Sequence, residues 1–313
     1  MINFLLQKWY FDLIAADGHC LYLYFVATKL AGIRQGQVSA HLMLPDGRVV
    51  QSLCHVKPAT NGKGEGVVFG ESSLLTAQKI SRVIIRLPSL SVDLDYTSIG
   101  APWVPGGDGL LINGRNYLSW HVPHAKAAVK GRLRAGSIDV RVSGLGYHDF
   151  VEMTIPPWRL PVAELLWGRA HCGPFSVVYD QIRTRDNGYL RHILLHEAEQ
   201  PTASAFCQES FGKTQKVVQC SEFQIESDAL DRETTVVHDA FTLQLSRRRI
   251  LEEGSLATDE RIKPKLLKHF LIRTAGDVWQ LKMLSDATLH VGDTTVQGLA
   301  IHERVSWNRE GER

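Results

Sequence analysis

Ionisable and aromatic side chains are concentrated in two stretches of the sequence, residues 116–150 and residues 166–180. The first stretch contains the run Tyr147-His148-Asp149, and the second ends in Tyr179-Asp180. Carboxyl and imidazole groups act as general acids and bases when they lie within reach of a substrate, and aromatic rings can line an apolar site. These two stretches are therefore the first candidates for a site that transfers protons.

The strand that carries the first of these runs has two faces. Apolar and polar residues alternate from Ile138 to Val142, which is typical of an antiparallel strand with one buried face. If the alternation continues, His148 points into the interior, and Tyr147 and Asp149 point the other way. The glycines in Gly144–Gly146 make a β-bulge possible, and a bulge would exchange the two faces.

The histidine spacing offers a metal site as an alternative. His192 and His196 are four residues apart and Glu197 follows them, a spacing that suits zinc on a helix. However, Leu190–Glu197 has the pattern of a strand, and the motif is not H-E-x-x-H. The Gly-rich segment 105–109 lacks the Lys-Ser/Thr of a phosphate-binding loop. We therefore expect no metal site and no cofactor.

Short alternating runs dominate the chain, and turn signals such as Pro45-Asp46-Gly47 separate them. This pattern predicts an all-β protein built from sandwiches or barrels. Pro161–Arg169 fits either a helix or a strand, and Ser255–Lys268 is a weaker helix candidate. The predicted strands include Cys20–Ala27, Gln37–Leu44, Arg82–Leu87, Phe175–Arg183, Leu190–Glu197, Thr234–Leu245, His269–Thr274, Val278–Leu284, Ala287–Val291 and Gly298–Ser306.

The composition is that of an ordinary folded protein, with 44% hydrophobic and 22% charged residues. The 35 Lys and Arg residues nearly balance the 33 Asp and Glu residues, so the net charge of +2 gives no support to nucleic-acid binding. A length of 313 residues predicts about two domains. The two adjacent prolines Pro156-Pro157 are the expected boundary, which gives domains of residues 1–156 and 157–313.

The five cysteines form no C-x-x-C pair, which predicts thiols in a reducing compartment. No apolar run approaches the roughly 18 residues of a membrane span, and Met1–Ala16 lacks a basic leader. We therefore expect a cytoplasmic protein whose membrane contact, if it has any, is peripheral. The sequence leaves its oligomeric state open.

Several short motifs occur in a recognisable order along the chain. They are Trp9-Tyr10-Phe11-Asp12, the W-x-x-P of Trp120–Pro123, the G-x-G-Y-H-D of Gly144–Asp149, the W-G-R of Trp167–Arg169, Tyr179-Asp180, and the final Gly298–Glu303. This set resembles the superfamily of carotenoid 1,2-hydratase (hydroxyneurosporene synthase) and AttH. The resemblance implies two consecutive lipocalin-like antiparallel β-barrels, with an apolar cavity near the domain junction that accepts isoprenoid or polyketide-like molecules.

Known activities in that superfamily include alkene hydration and the ring-forming reactions of fungal lipocalin-like Diels–Alderases and plant tocopherol cyclases. The family usually continues Y-H-D-H-N-W, whereas Phe150, Val151 and Glu152 follow Asp149 in this chain. A second His, an Asn and a Trp implicated in hydratase activity are thus absent from the motif. This departure favours cyclisation or isomerisation over carotenoid hydration.

Hydration or proton-initiated cyclisation of an alkene needs a carboxylic acid whose pKa is raised by an apolar environment, and aromatic faces that stabilise a carbocation. Asp180 is the first candidate for this acid and Asp149 the second, while His148 is suited to position water. A pericyclic cyclisation would need no acid. The expected catalytic residues are Asp180, His148, Asp149 and Tyr179, and the expected substrate-binding residues are Tyr147, Trp120, Trp167, Arg169 and Phe150.

Structural interpretations of the same residues stay open. Tyr147–Asp149 could be a polar corner that holds two domains together, and Asp180 a carboxylate satisfied in a turn or interface. Arg169 could close a barrel by packing across the indole of Trp167, and Glu303 is expected to be structural. Besides an enzyme acting on a hydrophobic molecule at a C=C bond, the alternatives are a non-catalytic carrier of a lipid-like ligand and a partner-binding module.

Overall fold

The structure is a computed structural model. It describes residues 4–61, 66–77, 79–107, 109–197, 217–220, 222–228, 231–255 and 277–308. Over these residues the regular structure consists of β-strands and one short 3-10 helix, Pro157–Arg159, so the all-β prediction is confirmed. The strand predicted at His269–Thr274, and the helix predicted over Ser255–Lys268 beyond its first residue, lie outside the described residues.

The chain divides into two compact units, Met1–Leu160 and Pro161–Arg313, which we call the first and second units. The division falls at the end of the 3-10 helix, a few residues after the Pro156-Pro157 boundary expected from the sequence. Each unit contains one antiparallel sheet. One sheet is a nearly closed barrel and the other a curled half-barrel, in agreement with two consecutive lipocalin-like barrels.

The strands of the first unit are β1 Phe4–Ala15, β2 Cys20–Leu30, β3 Ile33–Met43, β4 Val49–Val56, β5 Pro58–Asn61, β6 Gly66–Phe69, β7 Ser72–Ala77, β8 Ile80–Arg86, β9 Ser91–Ser98, β10 Leu111–Asn113, β11 Asn116–Ala135 and β12 Ile138–Met153. Their order in the sheet is β4-β3-β2-β1-β12-β11-β9-β8-β7-β6-β5, and β10 pairs with β11. Only Lys57 separates the two end strands, β4 and β5, along the chain.

The strands of the second unit are β13 Val162–Cys172, β14 Phe175–Thr184, β15 Tyr189–Glu197, β16 Val217–Cys220, β17 Gln224–Ser227, β18 Glu233–His238, β19 Phe241–Ser255, β20 Asp277–Val291 and β21 Thr294–Asn308. The sheet has the order β16-β15-β14-β13-β21-β20-β19-β18-β17. The hairpin between β13 and β14 has the two-residue loop Gly173-Pro174, in which Gly173 adopts a φ of +55°. A positive φ at the first loop position is what this kind of tight hairpin needs, and glycine adopts it without steric cost.

Each barrel interior is filled by every second residue of its strands. In the first unit Phe11 and Leu13 of β1, and Leu21, Leu23 and Phe25 of β2, are completely buried in one core cluster. In the second unit Val177 and Tyr179 of β14 occupy the equivalent position in a separate core cluster. Because side chains alternate between the two faces of a strand, their sequence neighbours lie on the outer face of each sheet.

One ambiguous segment is resolved, and two parts of the prediction differ from the observed elements. Within Pro161–Arg169, which fits either a helix or a strand, the residues from Val162 onward belong to strand β13. Thr234–Leu245 was predicted as one strand but forms two, β18 and β19, because the chain turns after His238. Val278–Leu284 and Ala287–Val291 are one strand, β20, because the intervening Ser285 and Asp286 continue the alternation between buried and exposed positions.

Candidate functional site

A line of chemically active side chains crosses the second sheet perpendicular to its strands. Its members are paired in register on five neighbouring strands, and we call them the transverse row: His192 on β15, Asp180 on β14, Trp167 on β13, Glu303 on β21 and Lys282 on β20. Residues paired in register point to the same face of a sheet. Since Tyr179, which precedes Asp180, belongs to the barrel core, the transverse row lies on the outer face.

Asp180 is the central ionisable group of the row. Its side chain is 2% exposed, and its Oδ1 lies 3.0 Å from Nδ1 of His192, whose side chain is 18% exposed. Its Oδ2 is buried and has no hydrogen-bond partner in the part of the chain that the structure describes. Burial raises the pKa of Asp180 above its usual value, against the opposing effect of His192. The carboxyl is therefore biased toward its neutral, proton-carrying form.

A buried ion pair occupies the other end of the row. Lys282, 1% exposed, forms an ion pair with Glu303, and its Nζ lies 5.3 Å from the ring centroid of Trp167. The cation therefore also lies over the face of the indole, an arrangement that contributes favourable electrostatic energy. The structural interpretation that places Arg169 across this indole stays a prediction.

Apolar side chains border the row on both sides along the outer face. Val178 and Ile301, paired in register with Arg169, are completely buried, and Ile182 and Val305 on the other side are 3% and 8% exposed. Arg169 itself is completely buried in this environment. The surroundings of Asp180 and Trp167 thus combine a low dielectric with a few ionisable groups, the combination that shifts pKa values most strongly.

Tyr179 faces the opposite way, into the second barrel. Its ring packs on the backbone of Gly168, where a Cβ atom would lie 2.5 Å from the ring. Burial raises the pKa of its hydroxyl above the usual value. Tyr179, Leu166, Met283 and His302 line a small recess that has room for about one water molecule. Pockets for drug-sized ligands span roughly 300–1,000 Å³, so this recess is too small for a terpenoid.

Gly168→Ala is expected to destabilise the second unit by about 1–3 kcal/mol, because the added methyl group would overlap the ring of Tyr179. Thermal unfolding of the purified protein measures the effect. Gly254→Ala is the matched control, since a Cβ at Gly254 meets nothing within 4 Å. Equal melting temperatures for the two variants would contradict the close packing of Gly168 on Tyr179.

His148 lies inside the first barrel, as the alternation predicted. Its ring stacks on Phe11 with a centroid distance of 3.7 Å, and its Nδ1 lies 2.9 Å from the carbonyl oxygen of Tyr10. The ring of His124 is 5.7 Å away, and Nε2 of His124 lies 2.8 Å from the hydroxyl of Ser81. The register shifts of this region occur in β11, between His121 and Ala127, and not at the glycines of β12.

Burial lowers the pKa of His148 to about 3 and that of His124 to about 4, well below the usual 6.5, so both rings are neutral in the folded protein. In the unfolded chain each ring takes up a proton below pH 6.5. Their contribution to stability is therefore complete above about pH 6.5 and is lost as the pH falls toward 4.

We accordingly expect the free energy of unfolding to fall between pH 6.5 and pH 5, by about 1.4 kcal/mol per pH unit for each such imidazole. His148→Phe preserves a ring against Phe11 and removes one titrating group, so it should reduce this slope. Urea titrations of both proteins at the two pH values measure it. An unchanged slope in the variant would mean that His148 is solvated.

Tyr147 and Asp149 point outward, again as predicted, and pair with two residues of β1. Tyr10 lies opposite Asp149 and Asp12 opposite Tyr147, and we call these four the Tyr–Asp quartet. The hydroxyl of Tyr10 donates to Asp12 at 3.0 Å, and that of Tyr147 donates to Asp149 at 3.1 Å. All four side chains are at most 5% exposed, so the quartet is a buried polar cluster on the outer face of the first sheet.

The predicted site residues therefore fall into separate groups. Asp180 and Trp167 are direct cross-strand neighbours, with Arg169 two residues further along β13. Tyr147 and Asp149 belong to the Tyr–Asp quartet. The remaining four lie elsewhere: Tyr179 in the second barrel, His148 and Phe150 on the inner face of the first sheet, and Trp120 packed 5.3 Å from Trp103.

Five residues of these clusters were not predicted as site residues, among them Glu303, which the sequence analysis expects to be structural. Tyr10 and Asp12 form part of the opening motif, which was used only for the resemblance, and His192 was considered only as a metal ligand. Lys282 carries a signal that the sequence does offer, because a lysine between Leu281 and Met283 interrupts an apolar run. Its partner Glu303 is 21 residues away, and only the strand pairing brings them together.

Within the described residues, no three His, Cys, Asp or Glu side chains come together in a way that could hold a metal ion. None of the helical structure in those residues is long and apolar enough to span a membrane.

The fold has the architecture of the AttH-like, two-barrel lipocalin proteins. One solved structure that shares it is CghA, with a TM-score of 0.65, 14% identity, and coverage of 99% of this chain and 90% of CghA. Others are an AttH-type protein from Nitrosomonas europaea (0.61, 14%, 95% and 92%) and kievitone hydratase from Nectria haematococca (0.61, 9%, 97% and 89%). The expected resemblance is confirmed for the fold. Neither a protein-family model nor a curated protein sequence matches the chain.

Proposed function

We propose that this protein is a cofactor-independent enzyme that protonates a C=C bond of a hydrophobic isoprenoid or polyketide-like molecule, leading to cyclisation, isomerisation or hydration. Asp180 is the proton donor. The observation that carries the proposal is the state of this carboxyl, which is buried, has a raised pKa, and bonds to His192 through one oxygen only among the described residues. Keeping a carboxylic acid neutral near pH 7 by an apolar environment is how enzymes prepare it for proton donation.

The surroundings of Asp180 suit the cation that protonation of an alkene produces. The bond that forms is C–H, made from the π electrons of the alkene, and the positive charge passes to the neighbouring carbon. Trp167 lies directly across from Asp180 on the next strand, and we propose that the face of its indole turned away from Lys282 stabilises such a cation. The final step is loss of a proton from carbon, or attack by water followed by loss of a proton from oxygen.

The solved structures with this fold support an enzymatic role. CghA is a Diels–Alderase, and the kievitone protein is a hydratase by name. Ring formation and hydration are thus both found among proteins with this fold, and both are outcomes of the reaction that we propose.

We further propose that the protein works in a reducing, cytoplasmic compartment. Its five cysteines form no C-x-x-C pair, which fits cysteines that are kept reduced.

Deuterium labelling tests the proposed reaction. The protein is incubated in D₂O with linear isoprenoids of increasing length, such as geraniol, farnesol and geranylgeraniol, and the products are analysed by mass spectrometry. Proton-initiated chemistry places one deuterium on carbon in the product. A cyclised product without deuterium would instead indicate a pericyclic reaction and would contradict the role of Asp180.

A further inference from the structure

The contact between Asp180 and His192 raises the question of how a buried acid regains its proton. Asp180 is 2% exposed, so water does not reach its carboxyl freely in this structure. A donor that has given its proton to a substrate must be recharged before the next turnover. This inference rests on the proposed function of Asp180 and concerns the route of that proton.

We propose that His192 is a proton relay that connects Asp180 to solvent. Nδ1 of His192 lies 3.0 Å from Oδ1 of Asp180, within hydrogen-bond distance, and 18% of the His192 side chain is exposed to solvent. The other in-register neighbour of Asp180 is Trp167, whose indole has no titratable proton for this purpose. Among the contacts described for this carboxyl, His192 is the one group that can both bind a proton from water and donate it to Asp180.

The two oxygens of Asp180 then have different tasks. Oδ2, which has no partner among the described residues, faces the reacting carbon and delivers the proton. The carboxylate left behind accepts a proton at Oδ1 from Nδ1 of protonated His192, which leaves a neutral ring with its proton on Nε2. Nδ1 takes up another proton from water when the ring turns away from the carboxyl. A half-turn about the Cβ–Cγ bond brings the new proton to the Oδ2 position, a rotation that a terminal carboxyl group makes readily.

His192→Asn is the critical variant. The amide nitrogen of asparagine occupies about the position of Nδ1 and can still donate a hydrogen bond to Oδ1, but it does not titrate. The hydrogen bond is therefore retained while proton transfer is removed. His290→Asn is the matched control, because His290 also forms a hydrogen bond across strands, with Thr295 at 2.9 Å, at an exposed site away from the row.

The readout is the rate at which the neutral carboxyl of Asp180 exchanges its proton for deuterium, measured without substrate by infrared spectroscopy after rapid transfer into D₂O. The carboxylic-acid band is assigned by its loss in Asp180→Asn. We expect at least tenfold slower exchange in His192→Asn than in the wild type, partial rescue by added imidazole, and an unchanged rate in His290→Asn.

Two results would overturn the relay, and they are distinguishable. If the acid band is present but exchanges as fast in His192→Asn as in the wild type, the proton takes another route and the proposed role of Asp180 still stands. If no acid band is lost in Asp180→Asn near pH 7, the carboxyl is ionised, and the proposed function and the relay both fail.

Discussion

Asp180→Asn is expected to reduce turnover by about 10²- to 10⁴-fold, the usual loss when a general acid is removed. Asparagine has nearly the same shape and can still accept the hydrogen bond from His192 through its oxygen, but it has no proton to deliver to carbon. The measurement is the initial rate of product formation with whichever isoprenoid incorporates deuterium. Asp286→Asn is the control, since Asp286 lies on the same outer face but is 53% exposed.

Asp180→Asn should not lower the stability of the protein. Because the pKa of Asp180 is raised in the folded protein, the unfolded state binds fewer protons than the folded state between the usual pKa of 3.8 and the raised value. The contribution of this carboxyl to the free energy of unfolding is therefore greatest at low pH and declines as the pH rises through that interval. At pH 7 the asparagine variant should be as stable as the wild type or more stable. An inactive variant with a lower melting temperature would mean that Asp180 is a structural carboxylate.

Lys282→Met is expected to produce the largest loss of stability, about 3–5 kcal/mol, because it leaves the buried carboxylate of Glu303 without its ion-pair partner. Methionine approximates the length of the lysine side chain, so lost volume contributes little. Chemical denaturation followed by Trp fluorescence measures the change. The exposed pair Arg248–Asp286 is the control, and Arg248→Met should cost less than about 1 kcal/mol.

A double variant separates the charge effect from the packing effect. Lys282→Met combined with Glu303→Leu removes both charges, and most of the lost stability should return, since a buried ion pair can be replaced by apolar groups at little net cost. If the double variant is as unstable as Lys282→Met alone, the lysine acts mainly through its contact with the indole of Trp167.

The sequence predicted the features that depend on local alternation. A period of two is visible over a few residues, so the inward direction of His148 and the outward direction of Tyr147 and Asp149 followed from Ile138–Val142 alone. The sequence did not predict which strands lie side by side in the sheet. Tyr10 and Asp149 are far apart in sequence, as are Lys282 and Trp167, and their proximity depends on strand order.

Irregularities in the pairing of the strands were also hard to predict from the sequence. The glycines of β12 suggest a bulge, but the register shifts lie in β11, where Pro123 stands between His121 and His124 and cannot donate to the ladder. The glycines serve a different purpose, since a Cβ at Gly146 would lie 2.4 Å from the carbonyl oxygen of Asp12. Close approach of two strands and a bulge both favour glycine, so residue type alone did not separate them.

The tight hairpin Gly173-Pro174 has an evolutionary consequence. It fixes the alignment of Trp167 with Asp180, and the inserted or deleted residue that many surface loops tolerate would here turn one of the two partners to the opposite side. Homologous lineages should therefore vary in length at other loops and preserve the length of this one. Circular permutation or library design by random insertion should spare it for the same reason.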